Sequence, residues 1–217
     1  MWSGILGWAT REVSRTKSQC DNPRVSARLR CGTIARLCKD KKYLDMNFTT
    51  ISKYLCWDHK PLMVGLARSV CVGVFTAALL LLLSGLLFAL MGRANVGALA
   101  GARIFERGWV VTFFAAVIWA PLWETVIGQL VPISLLIWFG ARTLIVVLSS
   151  AALFSAGHVA SGGGIGQGVV TFGAGLLFAS LFVANARLGL GRAGLFTGTA
   201  HAANNAFLIL LSFGLGV

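Results

Sequence analysis

Acidic residues are almost absent from this chain beyond residue 60. From Pro61 to Val217 there are two, Glu106 and Glu124, and the same stretch holds only two histidines, His158 and His201. Charged residues make up 12% of the sequence against 57% hydrophobic ones, and the mean hydropathy is +0.79. So little charge with so much apolar sequence excludes a disordered chain and an ordinary soluble domain. What is left is an all-α, polytopic membrane protein. The apolar runs are long and continuous, without the two-residue alternation of a membrane β-barrel. Paired cysteines are missing too. Cys20, Cys31, Cys38, Cys56 and Cys71 include no Cys-x-x-Cys, and Cys31 and Cys38 lack third and fourth zinc ligands, so all five read as reduced thiols. No cleavable signal peptide is expected: residues 1–9 are apolar but short, and the positive charges come after them.

What is present is unevenly placed. Of nineteen Lys and Arg, twelve lie in residues 1–60, and the net charge is +12. No ordered aromatic or Gly-rich pattern accompanies them, so nucleic acid is not an expected partner. Their meaning is topological: clustered positive charge keeps a segment in the cytoplasm. The chain divides in two. Residues 1–60 form a basic, poorly ordered cytoplasmic segment, with Met46 as an alternative start, and residues 61–217 form the transmembrane domain. The expected location is a bacterial inner (plasma) membrane with the N-terminus cytoplasmic.

A ~30 Å hydrocarbon layer needs about 20 helical residues. The first span runs over 62–91, with its core at 70–90. Next is a polar connection at 92–108 with Arg93, Arg103, Glu106 and Arg107, which the cytoplasmic N-terminus would place outside. The second span starts at Trp109 and continues past Glu124, with Pro121 expected to kink or restart it. The apolar stretch 131–159 is too long for one minimal span and is broken at Gly140 and Arg142. It reads as a short interfacial or partly inserted helix, then a full helix over about 142–158. A Gly-rich turn is expected over 161–168, a span over about 169–185, a basic loop over 187–192 and a last span over about 193–213. The total is five to six helices. Gly162 to Gly168 look like a phosphate loop but come after no strand. Gly194 and Gly198 have the spacing of a close helix contact.

Four polar residues stand out in this setting: Glu124, His158, His201 and Asn205. An ionisable group at bilayer depth costs roughly 2.5–3.5 kcal/mol and normally faces a partner in the protein interior. His201 and Asn205 are four apart and share a helix face. His158 ends another helix and Glu124 comes from a third. A carboxylate shielded from bulk water is a capable general base. A histidine beside it can orient water or give a proton to a leaving amine, and a second histidine with an asparagine can donate to an oxyanion. Such a set hydrolyses peptides without a nucleophilic side chain. The alternatives are interhelical hydrogen bonding, a zinc site on Glu124, His158 and His201, or a proton relay in a small transporter.

In order and spacing these residues resemble the CPBP family of intramembrane endopeptidases, also called the ABI or CAAX-protease family, which includes bacteriocin-immunity proteins. Its motifs are Glu-Glu-x-x-x-Arg, Phe-x-x-x-His and His-x-x-x-Asn. Here they stand as Glu124-Thr125-Val126-Ile127-Gly128-Gln129, Phe154-Ser155-Ala156-Gly157-His158 and His201-Ala202-Ala203-Asn204-Asn205, within residues 109–213. Thr125 replaces the second glutamate, and Gln129 the arginine. The resemblance implies a CAAX-protease-like bundle in which Glu124 and His158 act on water and His201 and Asn205 hold the oxyanion. No cofactor is expected. The implied partners are the bilayer and a peptide or protein substrate at the membrane, lipidated or not. A catalytically impaired binding or immunity protein of the same fold is the alternative.

Overall fold

The computed structural model describes residues 61–92 and 107–215. The basic segment 1–60, with four of the cysteines, and most of the connection 92–108 lie outside the described residues. All regular structure among the described residues is helical, in five helices. These are α1 (Leu62–Met91), α2 (Trp109–Trp138), α3 (Thr143–Ala160), α4 (Ile165–Asn185) and α5 (Leu190–Leu215), with a short 3-10 turn, Ala186–Leu188, before α5. The first four are long and apolar enough to cross a membrane. The less apolar α5, 26 residues long, carries Arg192, His201, Asn204 and Asn205.

The count among the described residues is therefore five, and the expected separate helix at 131 is the end of α2. Ile133 is fully buried there and packs with Val146 and Val147 of α3, Phe182 of α4 and Ala193 of α5. That segment continues α2 and anchors it to the bundle through Ile133. Pro121 does not restart the helix either. The chain runs through it because α2 changes pitch, with π-helical stretches at Phe114–Trp119 and Val126–Leu130. The true break is the turn at 139–142. Gly140 takes φ 73°, a conformation that costs glycine little, and the Ala141 N–H closes the end on the Leu136 carbonyl. The Gly-rich turn is also shorter than expected. Gly162 (φ 99°) and the Gly163 N–H on the His158 carbonyl end α3, while Gly166 and Gly168 already belong to α4.

At the centre is α4. Phe178, Ala179, Leu181 and Phe182 have no exposed surface, and half of its most apolar stretch is buried, against less than a third in α1, α2 and α3. Large apolar side chains elsewhere point outward, as a bilayer permits. Aromatics mark both ends of α2: Trp109 at one, Trp138 beside Phe139 at the other. Helices approach closely where side chains are small. A Cβ at Gly175 would lie 2.8 Å from the Ala151 Cα, joining α4 to α3. Along α1, Gly65 meets Phe196 and Gly73 meets Ala200 and Ala203, so α1 and α5 run in the same direction.

Gly175→Val should force α3 and α4 apart and lower stability by about 1–3 kcal/mol. Gly85→Val, at a position with no atom within 4 Å, should change it by no more than about 0.5 kcal/mol. Thermal unfolding of the two variants in detergent measures the difference.

Candidate functional site

Glu124 lies in the short α-helical stretch between the two π-helical stretches of α2. A π turn holds extra backbone per turn and rotates the residues after it relative to a straight helix. It also answers a backbone problem. Pro121 has no N–H to give, and the Ala120 N–H already bonds the Ala115 carbonyl in the five-residue pattern. The next carbonyl in that pattern is Ala116. Asn205 of α5 supplies the missing donor: its Nδ2 sits 2.8 Å from the Ala116 oxygen, and its Oδ1 accepts from Asn204 Nδ2 at 3.0 Å. The second proline of α2 has a similar arrangement. Ser150 Oγ of α3 donates at 2.7 Å to Gly128, whose carbonyl lies four residues before Pro132. Asn205 and Ser150 thus tie α2 to both neighbours on either side of Glu124.

Three of the four expected residues converge on one atom. Glu124 Oε2 lies 3.4 Å from His201 Nε2 and 3.6 Å from His158 Nε2. Access is graded. The Glu124 side chain is 33% exposed, His158 21% and His201 3%. The difference reflects helix length. His158 is two residues from the end of α3, so α3 has little chain left to cover the site, whereas His201 is in mid-helix. The fourth residue, Asn205, is one turn further along α5, with its amide on Ala116.

The two imidazoles are held differently. The Phe154 carbonyl can only accept, so His158 Nδ1, 3.0 Å away, carries the hydrogen and donates it. In the neutral ring that leaves the Nε2 lone pair turned toward Glu124. Packing fixes His201: Phe178 stacks on it at 4.9 Å, and Phe154 meets it edge-on at 5.4 Å. Phe154 also lies 4.7 Å from the His158 ring, so a single phenyl group contacts both imidazoles. Its space comes from Gly128, where a Cβ would stand 3.2 Å from the Phe154 ring.

Sequence reasoning missed Phe178, Ser150 and the Ala116 carbonyl. Nothing in the sequence singles out Phe178 among fourteen phenylalanines. The carbonyl had a signal, since every proline within a helix strands an acceptor. The two positions that depart from the family motif, Thr125 and Gln129, turn away from solvent: Thr125 is 5% exposed and faces Gly198, and Gln129 is fully buried. Among the described residues no group of three His, Cys, Asp or Glu is disposed to hold a metal ion.

Removing the Asn205 donor by Asn205→Ala should cost about 1–3 kcal/mol, the penalty of an unpaired buried carbonyl. In a Pro121→Ala background the backbone N–H returns and most of that penalty should vanish. A double-mutant cycle on thermal stability reads the coupling directly.

No family model, no curated protein and no solved structure matches this chain.

Proposed function

We propose that this protein is an intramembrane endopeptidase of the CPBP type, in which Glu124 activates water to hydrolyse a peptide bond of a membrane-associated substrate. The observation that carries the reading is the pair Glu124 Oε2 and His158 Nε2, 3.6 Å apart on a partly open edge of the bundle. With the His158 hydrogen committed to the Phe154 carbonyl, both facing atoms are acceptors when the ring is neutral and the carboxyl ionised. Glu124 Oε2 is itself closed to solvent, so the water sits on the exposed part of the Glu124 carboxyl and donates one hydrogen to it and one to His158 Nε2. Its oxygen lone pairs are then directed away from the pair, toward a scissile carbonyl.

That placement dictates the chemistry. As the water oxygen bonds to the carbonyl carbon, Glu124 takes one of its protons. The C–N bond then breaks, and the proton passes to the leaving nitrogen, directly or through His158. In its Nε2–H form His201 donates to the oxyanion, and packing against Phe178 and Phe154 holds that ring in one orientation. Asn205 acts through α2: it holds the Ala116 carbonyl and so the turn that presents Glu124. The bundle is a CAAX-protease-like scaffold on this reading, and its substrate is a peptide segment lying in or on the bilayer, lipidated or not.

A binding or immunity protein of the same fold is the second reading. It draws on Thr125 and Gln129, which leave Glu124 with neither the neighbouring carboxylate nor the arginine of the family motif.

Purified protein in detergent, offered a broad peptide library, should cleave. Glu124→Gln should lower the rate by about 10²–10⁴-fold, the range for loss of a general base. Elution as a single folded species would separate this loss from unfolding. A wild-type chain that cleaves nothing, with a cellular phenotype surviving Glu124→Ala, would establish the binding reading instead.

A further inference from the structure

The contact between α2 and α5 holds more polar chemistry than the site uses. Thr125, Gln129, Thr197, His201 and Asn204 are each more than nine-tenths buried there. Thr125 Oγ1, Gln129 Nε2 and Oε1, Thr197 Oγ1, His201 Nδ1 and Asn204 Oδ1 have no hydrogen-bond partner within the protein. On α5 the three residues are spaced at steps of four and three, which puts them on one face. On α2, Thr125 and Gln129 are also four apart. The pairings of Asn205 with Ala116 and of Gly198 with Thr125 set an antiparallel register. That register brings Gln129 level with the start of α5, between Ala193 and Thr197. The row therefore continues the site from Glu124 and His201 toward the Leu190 end of α5. Beyond Gln129 the row ends at an open apolar groove among Leu130, Val131, Ser134, Leu135, Leu190 and Gly191.

Amides and hydroxyls withdrawn from water without a partner are costly, and folded proteins rarely leave them so. A run of them in one interface is the setting in which buried water is found, each molecule making about three hydrogen bonds. The chemistry of the row favours water over an ion: past Glu124 and His201 it offers only neutral hydroxyl and carboxamide groups, donors and acceptors mixed. We propose that a file of water lies between α2 and α5, running past Gln129, Thr197 and Thr125 to Glu124, whose side chain is the partly exposed end of the row. This hydration stands apart from peptide hydrolysis. If Glu124 activates water, the same file is a store of water beside it.

The test is thiol reactivity in membranes. In the full chain with its five cysteines replaced by serine, Thr197→Cys is treated with silver ion, which is close to water in size. Leu195→Cys, which points outward at nearly the same depth, is the lipid-facing control. The thiolate is the reactive form and it arises only where water reaches, so Thr197→Cys should react about tenfold faster or more than the control. Gln129→Cys, on the facing helix, should do the same and gives an independent reading if the first variant fails to fold. Fast reaction at both positions supports the file. Rates equal to the control at both overturn it, and fast reaction at only one of the two folded variants overturns its continuity between Gln129 and Glu124. Because no peptide is cleaved in this experiment, its failure is distinct from failure of the protease reading.

Discussion

Within hydrocarbon a backbone carbonyl has no water to fall back on, and each one left unbonded costs several kcal/mol. Much of this bundle can be understood from how α2 meets that constraint. Two prolines remove two donors from the one helix that carries the carboxylate. The backbone responds by loosening to a π pitch before each of them, and neighbouring helices lend side-chain donors, Asn205 to Ala116 and Ser150 to Gly128. The orientation of Glu124 is thus set from outside its own helix. A proline-free, regular α-helix in the same place would need neither tie, and the carboxylate would face a different direction.

The second organising element is aromatic. Phe154 and Phe178 do for the imidazoles what the asparagine does for the backbone, since rings packed on rings leave few orientations open. His201 is fixed by packing, and His158 by a hydrogen bond to the carbonyl of the residue whose ring it touches. Three groups from three helices can meet within 3.6 Å of one oxygen only if each helix is locked in rotation. The glycines of α1 and α4 contribute at a distance, by letting backbones approach until they interlock.

The spans of α1, α3 and α4 could be read from hydrophobic length alone, because a bilayer imposes it. Glu124, His158 and His201 were legible for a related reason: such groups are too costly in an apolar span to be incidental. What failed was inference from proline and from polarity. Pro121 signals a break in a regular helix, but a π turn and a borrowed donor let α2 continue, and no local pattern announces either. The stretch from Val131 reads as separate because its apolar run joins that of α3, whereas Ile133 is buried among three other helices. Gln129 and Thr125 were legible as departures from a motif. That both turn inward against α5 depends on the rotation introduced by the π turns, which the sequence does not display.

Helix lengths in the bundle are unequal, and lipid must respond to that. At about 1.5 Å per residue, the 18 residues of α3 span about 27 Å, while the 30 of α1 span about 45 Å. Long helices can tilt, but a short one draws the headgroup region toward itself. Beside α3 the bilayer should be thin, and the dimple would lie over His158 and Glu124. A chain segment resting at the lipid surface would then reach the carboxylate without entering the hydrocarbon to its full depth. On the protease reading, the shortness of one helix would make the membrane itself part of the approach to the site.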